Sequence, residues 1–183
     1  MALKDYFSKP IATDLTWEDL DIPKVKLSQI HQIEKWIKSN NARKVNSPRI
    51  TKRKRGYSAL FYGPGTGKTL TASLLGKYTN RNAYRIDLSM VISKYIGETE
   101  KNLAQVFNKA DHKGWILFFD EADALFGKRT GVEDAHDKYA NQEVSYLLQR
   151  IETYNGIVII ASESKTNIEE TFLRLLDMVI NFP

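Results

Sequence analysis

The 183-residue chain contains no cysteine. That absence excludes disulfides, thiolate metal sites and cysteine nucleophiles, and it fits a cytoplasmic compartment. Long apolar runs are missing as well. The longest, Trp115–Phe119 and Ile157–Ala161, have five residues each, whereas a membrane span needs about 20. The opening Met1-Ala2-Leu3-Lys4-Asp5 leads into no apolar signal core. Acidic residues are absent between Arg43 and Arg55, where seven basic ones stand: Arg43, Lys44, Arg49, Lys52, Arg53, Lys54 and Arg55. Removing those seven from the net charge of +5 leaves the remainder at −2, so most of the surface is not a cationic field. The quartet Lys52-Arg53-Lys54-Arg55 has only Tyr57 as a nearby aromatic, which offers little for base stacking. It reads as a solvated loop or an import-type signal, and nucleic acid is not the expected partner. Hydrophobic residues make up 42 % and charged residues 27 %, an ordinary globular balance for a chain of one-domain length.

Residues 1–16 show no hydrophobic period and read as an N-terminal arm. Leu27, Ile30, Ile33 and Ile37 recur at steps of three and four, which predicts an amphipathic helix ending near Asn40-Asn41. With the basic loop that follows, it makes up a leading segment over residues 17–56. Beyond it the chain alternates. Strands are predicted at Ser58–Tyr62, Ala83–Asp87, Trp115–Asp120, Ile157–Ser162 and Met178–Phe182. Helices are predicted from about Gly67 to Asn80, across Leu103, Val106, Phe107 and Ala110, across Val144, Leu147, Leu148 and Ile151, and near Glu169–Leu176. This alternation implies an α/β core over residues 57–183: a three-layer sandwich, its central parallel five-stranded sheet covered by helices on both faces.

The first strand runs into Gly63-Pro64-Gly65-Thr66-Gly67-Lys68-Thr69 and then the helix, whose first turn takes in Leu70. Glycines allow successive backbone N–H groups to turn around phosphate oxygens, and a helix start adds partial positive charge. Lys68 can reach the outer phosphates of a nucleotide, and the Thr69 hydroxyl can ligate Mg²⁺. Gly63, Pro64, Gly65, Thr66, Gly67, Lys68, Thr69 and Leu70 are therefore the expected nucleotide-binding set. The third strand ends in Phe119-Asp120-Glu121-Ala122-Asp123, placing two carboxylates where open α/β sheets hold their ligands. Asp120 is the second expected contributor to the Mg²⁺ shell, and Glu121 the general base that polarises an attacking water.

These two motifs together resemble those of the AAA ATPases, a branch of the phosphate-loop NTPases. Other stretches resemble the same family. Lys94-Tyr95-Ile96-Gly97-Glu98-Thr99-Glu100 is similar to its first pore loop, in which an aromatic and an aliphatic residue grip a polypeptide in a central channel. Trp17-Glu18-Asp19 and Asp21-Ile22-Pro23 resemble the segment that lies near the adenine. Phe172-Leu173-Arg174-Leu175-Leu176 resembles the region that carries an arginine finger, here Arg174. The resemblance implies ATP and Mg²⁺ as ligands, ATP hydrolysis, assembly with copies of itself into a ring (a homo-hexamer), and a polypeptide substrate gripped by Tyr95, Ile96 and Gly97.

Four features depart from that pattern. The phosphate loop is one residue short, because Tyr62 stands where the first glycine belongs and Pro64 is a single proline where the family has two. Glu163 follows the fourth strand, where the family places a γ-phosphate-sensing asparagine. Leu175 follows Arg174 where a second arginine is usual. The 183 residues reach Phe182-Pro183, where the family's helical lid begins, so the lid is not among them. Two readings follow: an ATP-hydrolysing remodelling module, or a nucleotide-binding or scaffold subunit on the same fold that does not turn over.

Overall fold

A computed structural model describes residues 6, 7, 9–43, 56–127 and 135–183, and of 41–43 and 135–141 the backbone alone. The basic stretch beyond Arg43 and the opening pentapeptide lie outside the described residues. Helix α1 spans Lys24–Arg43 and is followed by strand β1, Tyr57–Tyr62. Helix α2 is Lys68–Thr79, strand β2 is Ala83–Asp87, and the single turn α3 is Leu88–Val91. Helix α4 (Glu98–Ala110) leads to β3 (Ile116–Asp120), the short α5 (Asp123–Phe126) and α6 (Ala135–Thr153). Strand β4 (Ile157–Ser162), helix α7 (Glu170–Leu175) and strand β5 (Met178–Asn181) complete the order.

All strand pairs are parallel, in the order β2-β3-β4-β1-β5. The five-stranded α/β sandwich expected from the alternation of elements is what forms. Strict side-chain alternation builds its two faces. Ala59, Phe61, Phe118, Ile159 and Ala161 pack with Ile30, Ile33 and Ile37 of α1 and with Ala72, Leu74 and Leu75 of α2. Leu60, Leu117, Phe119, Val158 and Ile160 point the other way, against Leu103 and Phe107 of α4, Leu147 and Ile151 of α6, and Phe172 of α7. Phe118 and Phe119 are both fully buried, one on each face. Burying such a ring is worth about 1.5–3 kcal/mol, so the consecutive aromatics fasten both helical layers to β3.

The arm and the leading segment are anchored to this core. Ile11 donates its N–H to the Ala83 carbonyl of the edge strand β2 at 2.8 Å, and Phe7 packs edge-on against Tyr84 and Trp115. A 3-10 turn at Trp17–Asp19 follows, with the Trp17 ring stacked on Tyr78 of α2 at 5.4 Å. The two single-turn helices α3 and α5 are additions to the predicted elements. Asp87 opens α3 by accepting the Ser89 N–H at 2.9 Å.

The candidate nucleotide site

The parallel sheet gathers the carboxyl ends of β1, β3 and β4 at one edge. Tyr62 is level with Ser162, and Phe119 with Ile160. The segments Gly63–Gly67, Asp120–Asp123 and Glu163–Ser164 therefore leave the sheet side by side. In an open α/β sheet this is where ligands bind.

The glycine loop follows from the need to turn sharply between a buried strand and a helix. Gly63 and Gly67 have φ of 120° and 101°, in the region that favours glycine. Gly67 precedes α2 without any side-chain cap, and the first bond into its carbonyl comes from the Thr71 N–H at 2.8 Å. The amides of Gly67, Lys68, Thr69 and Leu70 thus have no carbonyl partner within the helix, and they end at the positive pole of its dipole. This donor set fits a phosphate group. Leu20 rests against the same turn, since a Cβ on Gly67 would lie 3.0 Å from Leu20 Cδ1. That places the segment after Trp17–Asp19 beside the loop.

The other half of the loop is engaged internally. Lys68 Nζ donates to the carbonyls of Gly63 at 2.5 Å and Gly65 at 2.8 Å. The Gly65 N–H donates to the Phe182 carbonyl at 3.3 Å, and Phe182 N–H donates to the Tyr62 carbonyl at 2.7 Å. A Cβ on Gly65 would come within 2.1 Å of the Pro183 oxygen, and one on Gly63 within 2.0 Å of the Phe182 oxygen. Pro64 and Thr66 lie between these fixed points. The loop that is one residue short is drawn against the end of β5, and one of its amides is spent there.

The acidic turn after β3 is stitched from three sides. Arg85 on β2 donates from Nε to Asp120 Oδ2 at 2.7 Å. That hydrogen bond, with further attraction from Asp120, Asp87 and Glu121, holds the guanidinium pKa above its ordinary value against the opposing effect of burial. Asp120 Oδ1 accepts the N–H of Glu121 at 3.0 Å. Glu121 itself has φ of 56°, a left-handed conformation that costs a non-glycine residue about 1–2 kcal/mol. Backbone strain of this kind collects at sites where a side chain must be aimed. Asp123 then reaches across to β4. Its Oδ1 accepts from Ser162 Oγ at 2.8 Å and its Oδ2 from the Glu163 N–H at 2.7 Å, while Ala122 N–H bonds the Ala161 carbonyl at 3.0 Å.

Thr69 stands in the first turn of α2 and Asp120 at the end of β3, the two residues whose oxygens could hold Mg²⁺. Among the described residues no group of three or more His, Asp, Glu or Cys side chains could hold a metal by itself. A threonine, a carboxylate and phosphate oxygens are a hard-oxygen set suited to Mg²⁺ when a nucleotide is bound. The sequence pointed to Asp120 and Glu121. It gave no role to Arg85, Asp123 or the Phe182 carbonyl. A basic residue at the centre of a strand was the available signal for Arg85. The contacts of Asp123 and Phe182 depend on which strands become neighbours.

Arg174 lies apart from these groups. It is largely exposed on α7 and pairs with Glu170 one turn earlier at 2.8 Å. The segment resembling a pore loop forms its own small structure between α3 and α4. Tyr95 is 62 % exposed and Ile96 74 % exposed, and Gly97 (φ 77°) opens α4. The bend below them is braced. Thr99 Oγ1 accepts the Ser93 N–H at 3.0 Å, Ser93 Oγ donates to Glu98 Oε2 at 2.5 Å, and Asn102 Nδ2 donates to the Val91 carbonyl at 2.8 Å. Two large side chains, Tyr95 and Ile96, are thus held in solvent above a hydrogen-bonded bend.

A parallel sheet whose first strand runs through a glycine loop into an uncapped helix, with an acidic turn at the same edge, is the α/β fold of phosphate-loop NTPases. Residues 59–183 match the model of the ATPase family associated with various cellular activities (AAA), and the chain belongs to that family. It is 35 % identical over 125 residues to cell division protein C of Sulfolobus acidocaldarius, a match covering 63 % of this chain and 33 % of that protein. It is 32 % identical over 120 residues to the probable 26S proteasome regulatory subunit 10B of Caenorhabditis elegans, covering 63 % and 30 %. With the cell division cycle protein 48 homolog of Archaeoglobus fulgidus it shares 35 % over 120 residues, covering 63 % and 16 %. The chain spans about a third or less of the length of these relatives.

Proposed function

We propose that this chain is the MgATP-binding module of a ring-forming AAA ATPase that remodels or threads polypeptides. The observation that carries the reading is the uncapped start of α2, with its amides and Lys68 at the same sheet edge as the acidic turn at Asp120 and Glu121, with one strand, β4, between. The N–H groups of Lys68, Thr69 and Leu70 bind phosphate oxygens, and the Lys68 ammonium exchanges the Gly63 and Gly65 carbonyls for them. Thr69 and Asp120 would hold Mg²⁺, which would neutralise charge on the phosphates. Arg85 takes only the Oδ2 oxygen of Asp120, so Oδ1 would keep a lone pair for the ion. Glu121 accepts the proton of the attacking water. Tyr95 and Ile96 supply the apolar grip on a polypeptide, and Arg174 is offered to a neighbouring subunit's site. The expected compartment is the cytoplasm.

A second reading is favoured by specific contacts: a subunit that binds nucleotide without turning it over. The Gly65 N–H is committed to Phe182, Glu163 brings a carboxylate where an amide would orient water, and Leu175 follows Arg174. A nucleotide titration run beside a single-turnover ATPase assay separates the two. Binding with cleavage supports the hydrolase. Binding without cleavage supports the silent subunit, and no binding refutes both.

A further inference from the structure

We propose that Glu163 makes this a diphosphate-preferring site, one that holds MgADP more tightly than MgATP. The proposal rests on the nucleotide-binding reading above and deepens it.

The backbone of residue 163 is fixed from two directions. On one side, Ser162 sits level with Tyr62 and its carbonyl accepts the Gly63 N–H at 3.1 Å, so residue 163 starts where the phosphate loop starts. On the other, Asp123 Oδ2 accepts the Glu163 N–H at 2.7 Å and Oδ1 accepts from Ser162 Oγ at 2.8 Å. Glu163 therefore leaves the sheet between the glycine loop and the turn that carries Glu121. It is solvent-exposed at that point.

The charges at this end of the sheet are unbalanced. Asp87, Asp120, Glu121, Asp123 and Glu163 are five carboxylates. The cations that the same strand ends and loops supply are fewer: Arg85, bound to Asp120, Lys68, whose ammonium lies on two loop carbonyls, and Lys165, whose ammonium is engaged over the Tyr62 ring at 5.1 Å. Phosphates seated on the α2 amides and Lys68 meet donors only. A third phosphate would have no further α2 amide to meet, and residue 163, one strand over from the loop, is the next group it would encounter. An amide at position 163 could donate to it, but a carboxylate presents only acceptors and like charge. The Gly65 N–H that could help is already bonded to Phe182. The consequence falls on the last phosphate and spares the first two.

Isothermal titration of the chain with MgADP and with Mg²⁺ plus the β,γ-imido analogue of ATP reads this directly. The expected result is binding of MgADP at least about tenfold tighter, a difference of about 1.4 kcal/mol. Glu163→Gln should tighten the triphosphate analogue about tenfold while leaving MgADP within about twofold, and Glu163→Asp, which keeps the charge, should keep most of the preference. Equal affinities in the unaltered chain overturn the proposal while leaving the nucleotide site standing. So does a Glu163→Gln variant that changes both ligands alike or neither. If neither nucleotide binds, the nucleotide-site reading falls and this inference falls with it.

Discussion

Replacing Asp123 by alanine tests the stitching between the acidic turn and β4. The carboxylate accepts from Ser162 Oγ at 2.8 Å and from the Glu163 N–H at 2.7 Å. Ser162 is 2 % exposed, so its hydroxyl cannot turn to water. It has one proton, and the Ser164 carbonyl at 2.5 Å is the alternative acceptor. Part of the loss on that side is therefore recovered. The Glu163 amide is nearer solvent, so its loss is partly made good as well. Hydrogen bonds to charged groups contribute about 1.5–3 kcal/mol each, which with these two discounts puts Asp123→Ala at about 3 kcal/mol. In a domain of this size 1 kcal/mol moves the melting temperature by about 2–4 °C, so the variant should melt about 6–12 °C lower. Asp123→Asn should recover less than half, because an amide offers one acceptor oxygen where two donors arrive. Thermal denaturation followed by circular dichroism gives the shift, and hydrogen exchange at the Glu163 amide gives the local effect. A drop below about 2 °C with unchanged exchange at Glu163 would show that Asp123 does not hold the end of β4.

Lys68→Ala should weaken MgATP binding about tenfold or more, measured by fluorescence titration, since it removes a charged donor to phosphate. Inserting one proline after Pro64 restores the loop length and should release the Gly65 N–H from Phe182. ATP affinity should then rise with little gain in turnover, and unchanged affinity would mean that the missing residue is harmless. Glu121→Gln should spare nucleotide binding while abolishing any hydrolysis in a single-turnover assay, because it keeps the shape and removes the base. Tyr57, whose pKa is pushed up to about 12 by burial and by the nearby Asp177, gives a pH test. Its folded-state value lies above the unfolded 10, so its contribution to stability is whole below pH 10 and is lost as pH rises toward 12. Tyr57→Phe should flatten the decline in denaturation midpoint across that window.

The sheet was legible because its strands are short apolar runs that leave little other choice. Ala83–Asp87 and Ile157–Ser162 begin and end where the sequence predicts them, and the remaining strands differ by a residue at one end. The single turns α3 and α5 were not, since four residues carry no period. Strand order could not be read either, and with it went every contact between strand ends. Phe182 meets Gly65 because β5 lies beside β1, and Asp123 meets Glu163 because β4 lies beside β3. The residues of the candidate site were visible one motif at a time. That Asp120 is paired with Arg85, and Lys68 with its own loop, follows from distances across the fold and from no pattern along the chain.

The central claim is that the loop Gly63–Thr69 and the start of α2 hold the phosphates of a nucleotide. Its most direct test is a calorimetric titration of MgADP into the unaltered chain and into Lys68→Ala side by side. Saturable one-to-one binding, weakened about tenfold or more by Lys68→Ala, is the predicted result. Absent binding, or binding that Lys68→Ala leaves unchanged, would contradict it.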